Sequence, residues 1–145
     1  MISFSSNEIK FRLKNKAQVC KWLELLIHQS GFSSRSISIV FCSDAFLLEM
    51  NRNYLNHDYF TDIITFDYSD KQQLSGELFI SVDRVKENAN DRKLQYEEEL
   101  LRVIAHGVLH LMGFKDKTKK DAVNMRKAED SALQQFKSAF TQNLD

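Results

Sequence analysis

The chain has no proline, only four glycines (Gly31, Gly76, Gly107 and Gly113) and only two cysteines, Cys20 and Cys42, among 145 residues. With so little proline and glycine, and no repeat, there is no place for a flexible or Pro-rich linker between domains. Two thiols outside any C-x-x-C pair make no secreted disulfide framework. They read as reduced cysteines of a cytosolic protein, with a bridge between them as the alternative. No stretch reaches the ~18 consecutive apolar residues of a membrane span. Met1 to Lys16 mixes Asn7, Glu8 and Lys10 among its apolar residues, so no signal-peptide core is expected there. The expected location is the cytoplasm. Charge of one sign is also lacking: twenty basic and twenty acidic residues give a formal net charge of zero. Tight binding to duplex nucleic acid draws on many phosphate contacts and is disfavoured by that balance. A local basic cleft is not.

What is present is ordinary for a soluble domain: 43% hydrophobic and 28% charged residues. The length suits a single domain over residues 1–145, long enough to bury a core without disulfides. Ile2 to Leu13 alternates in part and is expected to contain a first strand. Lys16 to Gln29 places Val19, Trp22, Leu23, Leu26 and Ile27 at helical spacing, with Gly31 as the stop. Ser36 to Cys42 alternates and is rich in β-branched residues, so it predicts a strand. Ser43 or Asp44 can cap a helix running towards Tyr54. Asn53 to Tyr59 reads as a loop, Thr61 to Tyr68 and Gly76 to Val82 as strands, and Asp83 as the cap of a helix through Val85 and Ala89. Tyr96 to Met112 is the strongest helix, apolar on nearly every side and therefore expected to be surrounded by protein. A last helix follows, roughly Lys119 to Phe140. This order predicts an α+β domain with a mixed sheet of about four strands packed with helices.

His106 and His110 lie four residues apart on the buried central helix, which puts both imidazoles on one face, one turn apart. Gly113 follows, placed to end the helix in a left-handed turn. Asp116 comes three residues later. The pattern H-x-x-x-H-x-x-G-x-x-D resembles the metzincin spacing, with Asp as third ligand. Two imidazoles and a carboxylate predict one divalent ion per chain, zinc first, with nickel, cobalt or iron also able to bind. The alternative is two core histidines bonded to backbone. Gly107 stands where zinc peptidases carry their general-base Glu, so a peptidase is disfavoured. A helical glycine costs roughly 1 kcal/mol relative to alanine, so it predicts close approach of substrate or a tight helix–strand contact. His28 and His57 read as surface residues.

The run His106-Gly107-Val108-Leu109-His110-Leu111-Met112-Gly113-Phe114-Lys115-Asp116 resembles the signature H-G-x-L-H-L-x-G-Y-D-H of the YbeY family of endoribonucleases and rRNA maturation factors. Phe114, Lys115 and Asp116 depart from it, the last replacing the third histidine. Met50-Asn51-Arg52-Asn53-Tyr54-Leu55 and Thr61-Asp62-Ile63-Ile64-Thr65-Phe66 are similar to the family's L-N-x-x-Y-R and T-D-V-L-S-F. Gly76-Glu77-Leu78 is similar to its G-D-I. The family's arginine is Leu55 here, and Arg52 is the nearby candidate to replace it.

The resemblance implies a zincin-like fold, a bound metal and single-stranded RNA as substrate. It also implies work on the 3′ end of 16S rRNA and in ribosome quality control, with the small ribosomal subunit as partner. Asp62 is a candidate catalytic residue, orienting a ligand histidine or, alternatively, serving as a cap or in an ion pair; Glu77 is a weaker candidate for the same role. Phe66 and Phe114 could stack on bases. Lys115, Lys117, Lys119 and Lys120 could meet phosphates or form a solvated loop. Two rival functions stay open: a non-catalytic ribosome-assembly factor with a structural metal, and a metallohydrolase of a non-RNA substrate.

Overall fold

The computed structural model describes residues 1–140. The elements run β1 (Ile2–Ser6), α1 (Lys16–Gln29), β2 (Ser33–Cys42), α2 (Asp44–Leu55), β3 (Ile63–Asp67), β4 (Gln73–Ser81), α3 (Val82–Arg92), α4 (Tyr96–Leu111) and α5 (Lys119–Phe140). One mixed sheet has the order β1-β2-β4-β3. β1, β2 and β4 are parallel, and β3 runs antiparallel along β4 as an edge strand. Among the described residues the fold is thus the expected α+β arrangement, with four strands and five helices.

Alternation sorts each central strand onto two faces. Leu74, Leu78 and Ile80 of β4, with Ile37, Ile39 and Phe41 of β2, join the main core with buried residues of α1, α4 and α5. On the other face, Cys42 and Ile64 pack with Leu47 of α2, flanked by Phe46, Phe66 and Phe79. Trp22 pins α1 to α5: its indole N–H donates to the Ala132 carbonyl at 2.8 Å, and its ring meets Phe136 edge-on. Fully burying an aliphatic side chain of this kind contributes about 1.5–3 kcal/mol, so α4, buried along most of its length, is anchored chiefly by apolar contact.

Several boundaries differ from the sequence expectation. The first strand stops at Ser6, because the chain turns at Glu8 with φ of 61°. Phe11 and Leu13 enter the core without being strand residues, Phe11 against Phe41. β2 and β4 begin earlier than composition suggests, since Ser33 pairs with Gln73 across a shift in register at Ser34–Ser36. Ser81, not Asp83, caps α3, accepting the Arg84 N–H at 3.1 Å. Asp83 instead accepts the Asp44 N–H. Ser43 caps α2 by accepting from Phe46. Cys20 and Cys42 are free thiols, and burial pushes the Cys42 pKa up to about 12. Among the described residues no helix is long and apolar enough to cross a membrane.

Candidate metal centre

Gly107 decides how closely α4 approaches the sheet. A Cβ there would lie 2.5 Å from Leu78 Cδ2 and 2.7 Å from Ile63 Cδ1. The glycine therefore serves a tight contact of α4 with β4 and β3, and not an approach of substrate. His106 and His110, on the same helix, line an open cleft beside β3. At the end of α4, Gly113 takes φ of 104°, a conformation that glycine adopts without penalty. Its N–H bonds the His110 carbonyl and the Phe114 N–H bonds that of Leu109, a Schellman ending. The reversed chain then carries Asp116 back to the histidines.

Three atoms converge. His106 Nε2 and His110 Nε2 lie 3.0 Å apart, and Asp116 Oδ2 lies 3.4 Å from each. The partners of the other ring nitrogens fix the tautomers. His110 Nδ1 faces the Phe114 carbonyl at 2.9 Å, which can only accept, so that nitrogen carries the proton. His106 Nδ1 faces a carboxylate oxygen of buried Glu129 at 2.6 Å and donates to it. With both Nδ1 atoms donating, each Nε2 is left to offer its lone pair toward the same point as a carboxylate oxygen. Such a set favours a cation, either a proton or a metal ion. A tetrahedral zinc ion with bonds of about 2.0–2.1 Å spaces its ligand atoms about 3.3–3.4 Å apart; both Asp116 distances match this spacing, and the two histidine nitrogens lie somewhat closer together. The donor set fits a divalent metal, and three protein ligands leave a position open to solvent.

The electrostatics agree. For His106, burial works against the charged ring, but the Glu129 hydrogen bond and charge, with Asp116 and Asp62, outweigh it and raise the pKa. Without a metal, a proton is drawn to this position. Glu129 is held in turn by Arg102, whose guanidinium bonds Glu129 at 3.2 Å and Asp130 at 2.9 Å.

The triad opens into a cleft of about 450 Å³ bounded by β3 and the loop after α2. Asn51, Leu55, His57 and Tyr59 line it on one side, Thr61 and Asp62 on another. Buried Asn51 holds the rim by donating to the Tyr59 carbonyl at 2.9 Å, while the Tyr59 hydroxyl meets His57 Nδ1 at 3.0 Å. No lysine or arginine among the described residues lines this cleft.

Asp62 stands where the sequence suggests, at the cleft, with its pKa raised by burial. It orients neither ligand histidine, because both Nδ1 atoms are engaged by Glu129 and Phe114. Arg52 is turned away and paired with Asp58. Glu77 accepts the Tyr68 hydroxyl outside the cleft. Phe66 packs beside Phe79, Phe114 is partly exposed, and Lys115, Lys117, Lys119 and Lys120 are exposed. His28 is on the surface; His57 is exposed too, but at the cleft rim. Glu129 is the functional residue the sequence reading missed. Its signal was an acid set among Met125, Ala132, Leu133 and Phe136, the apolar stripe of α5.

Residues 1–137 match the family model described as Endoribonuclease YbeY. The chain belongs to the YbeY family. A family member from Cytophaga hutchinsonii, named Endoribonuclease YbeY, is 45% identical over 133 residues, covering 91% of this chain and 93% of its own. Another of that name from Flavobacterium psychrophilum is 46% identical over 136 residues, covering 94% and 96%. The solution structure of a Thermotoga maritima protein superposes with a TM-score of 0.70 at 22% identity, over 99% of this chain and 93% of that one. This last likeness concerns the fold alone.

Proposed function

We propose that this chain is a metal-dependent, single-strand-specific endoribonuclease. In this reading one zinc ion is held by His106, His110 and Asp116, and the enzyme acts in the cytoplasm on the 3′ end of 16S rRNA and in ribosome quality control. The observation that carries the reading is the convergence of three potential ligand atoms in an open cleft, in a chain whose relatives are named endoribonucleases. Bound there, the metal would supply Lewis acidity that lowers the pKa of water and offsets phosphate charge.

The rest is the work of the chain. Glu129 and the Phe114 carbonyl lock the two imidazoles so that Nε2 faces the cleft. Asp62, whose carboxyl burial holds above the usual carboxylate range, is placed beside His106 to take a proton from the attacking hydroxyl. A general base of this kind contributes typically 10²–10⁴-fold. Tyr59 and His57 at the rim offer ring faces to the bases of an unpaired strand. Arg52, paired with Asp58 away from the cleft, has no part in this scheme.

The test is cleavage of a single-stranded oligoribonucleotide by zinc-loaded protein. The expected result is cleavage that is abolished by chelator and by His110→Ala, is restored by zinc in the wild type, and is reduced at least 100-fold in Asp62→Asn. Protein that carries stoichiometric zinc and leaves RNA intact would instead favour the assembly-factor reading.

A further inference from the structure

A second pocket, of about 260 Å³, lies behind the metal centre between α3, α4 and α5 and shares Asp62, His106 and Asp116 with the cleft. Arg92, Arg102 and Arg126 converge on it, together with Glu99 and Glu129. An RNA strand brings one negative charge per phosphate, yet no lysine or arginine among the described residues lines the cleft, and Leu55 stands where the family has arginine. The arginines of this pocket share its lining with two of the three ligand residues, His106 and Asp116.

The three guanidiniums are not equivalent. Arg102 is committed, bonded to Glu129 and Asp130 and largely buried. Arg92 gives one N–H to Glu99 at 3.1 Å and is half-exposed. Arg126 is also half-exposed; its only ion contact is at 3.9 Å to Glu129, and its guanidinium makes no hydrogen bond among the described residues. A guanidinium has five N–H donors in a fork that matches phosphate oxygens, so both retain donors for a ligand. Four carboxylates (Asp62, Glu99, Asp116 and Glu129) outnumber the three arginines around the pocket. A divalent cation at the triad reverses that balance to net positive.

We propose that Arg126, assisted by Arg92, binds a backbone phosphate of the RNA strand flanking the metal centre, supplying from the α3–α5 side the cationic side chain that the cleft lacks. This rests on the endoribonuclease reading. The class of ligand is a phosphodiester, because two guanidiniums with free donors at a half-exposed pocket mouth complement its paired oxygens and do not read bases.

The experiment measures binding of a labelled single-stranded oligoribonucleotide to zinc-loaded protein over a range of salt, with cleavage followed in parallel. Each phosphate contact on a single strand contributes about 0.7 to the slope of log affinity against log salt. Arg126→Gln is therefore expected to reduce the slope by about 0.7 and weaken binding roughly three- to tenfold at 0.1 M salt. Zinc stoichiometry is expected to be unchanged. Lys21→Gln, on the exposed face of α1, is expected to leave the slope within 0.2 or so of the wild type. Arg92→Gln should act in the same direction as Arg126→Gln. It also strips buried Glu99 of its partner, whose other oxygen has none, so Arg126→Gln is the deciding variant. An unchanged slope and affinity in Arg126→Gln, while the wild type binds and cuts RNA, would overturn this inference alone. An equal loss in Lys21→Gln would overturn it too, by showing a diffuse charge effect. Wild type that neither binds nor cuts the RNA would remove the endoribonuclease reading and this one with it.

Discussion

Replacing Glu129 with glutamine tests whether the metal centre is held from the second layer. The carboxylate accepts twice: one oxygen from His106 Nδ1–H at 2.6 Å, the other from Arg102 at 3.2 Å. Glutamine has the same shape but only one acceptor. If its oxygen faces His106, its NH2 confronts the Arg102 guanidinium, donor against donor. If it turns over, the amide N–H faces His106 Nδ1, and the ring must accept there and move its proton to Nε2, the atom that has to face the cation. Both arrangements are penalised in a site too buried for water to repair easily. Loss of such a partner typically weakens metal binding 10- to 100-fold, or about 1.4–2.7 kcal/mol. The assay is zinc competition against a chromophoric chelator at pH 7.5, with thermal melts in chelator to separate lost affinity from lost stability. A zinc Kd within twofold of the wild type would refute the argument that Glu129 sets the tautomer.

Two further outcomes follow from the same contacts. The pKa of His106 is raised in the metal-free fold above its ordinary value near 6.5, with burial opposing and Glu129, Asp116 and Asp62 prevailing. The stabilisation from the protonated ring is fully present below the unfolded pKa and is lost as pH rises through the folded value. Protein in chelator is therefore expected to lose Tm as pH rises from about 6.5, while zinc adds progressively more stability over the same range because the ligand must shed its proton. Parallel Tm-against-pH curves with and without zinc would contradict this. Gly107→Ala gains about 1 kcal/mol of helix propensity but drives a methyl into Leu78 and Ile63, both under 3 Å away. Overpacking costs about 1–3 kcal/mol, so the expected net change is a Tm lower by a few degrees together with weaker zinc binding; a higher Tm would show that α4 has slack against the sheet.

Elements with a strong local period were legible in the sequence: α1, α4 and α5 lie where the spacing of Val19–Ile27, Leu100–Leu111 and Met125–Phe136 puts them. The two histidines and the glycine-led reversal to Asp116 were legible for the same reason, since a helix turn and a left-handed ending are local geometry. What was not legible depends on pairing between distant segments. The early starts of β2 and β4 come from their mutual register, not from their own composition. The choice of Ser81 over Asp83 as cap follows from where β4 ends. Glu129 reaches His106 from 23 positions away, and no spacing rule connects α4 to α5. Arg52, one turn before Leu55 on α2 and so on a neighbouring part of its surface, does not line the cleft because Asp58 in the following loop captures its guanidinium. That capture depends on the path of the loop, which no spacing rule gives.

The division of labour around α4 explains why the site tolerates so much buried charge. The side facing the sheet is apolar and close-packed, with Ile104, Ala105 and Val108 buried and Gly107 pressed onto Leu78. The side facing α3 and α5 carries a polar seam: Arg92 with Glu99, then Arg102 with Glu129, then His106. Buried ion pairs of this kind are poor sources of stability, because desolvation offsets most of their attraction. Glu99 makes the point, with one carboxylate oxygen unpartnered and its pKa raised chiefly by burial. A methionine or leucine at position 129 would pack better in the apolar stripe of α5 and bury more apolar area, yet it would release His106 from the only tautomer that points a lone pair at His110 and Asp116. The seam therefore makes physical sense as the support of a cation site that the sheet-facing core is stable enough to carry.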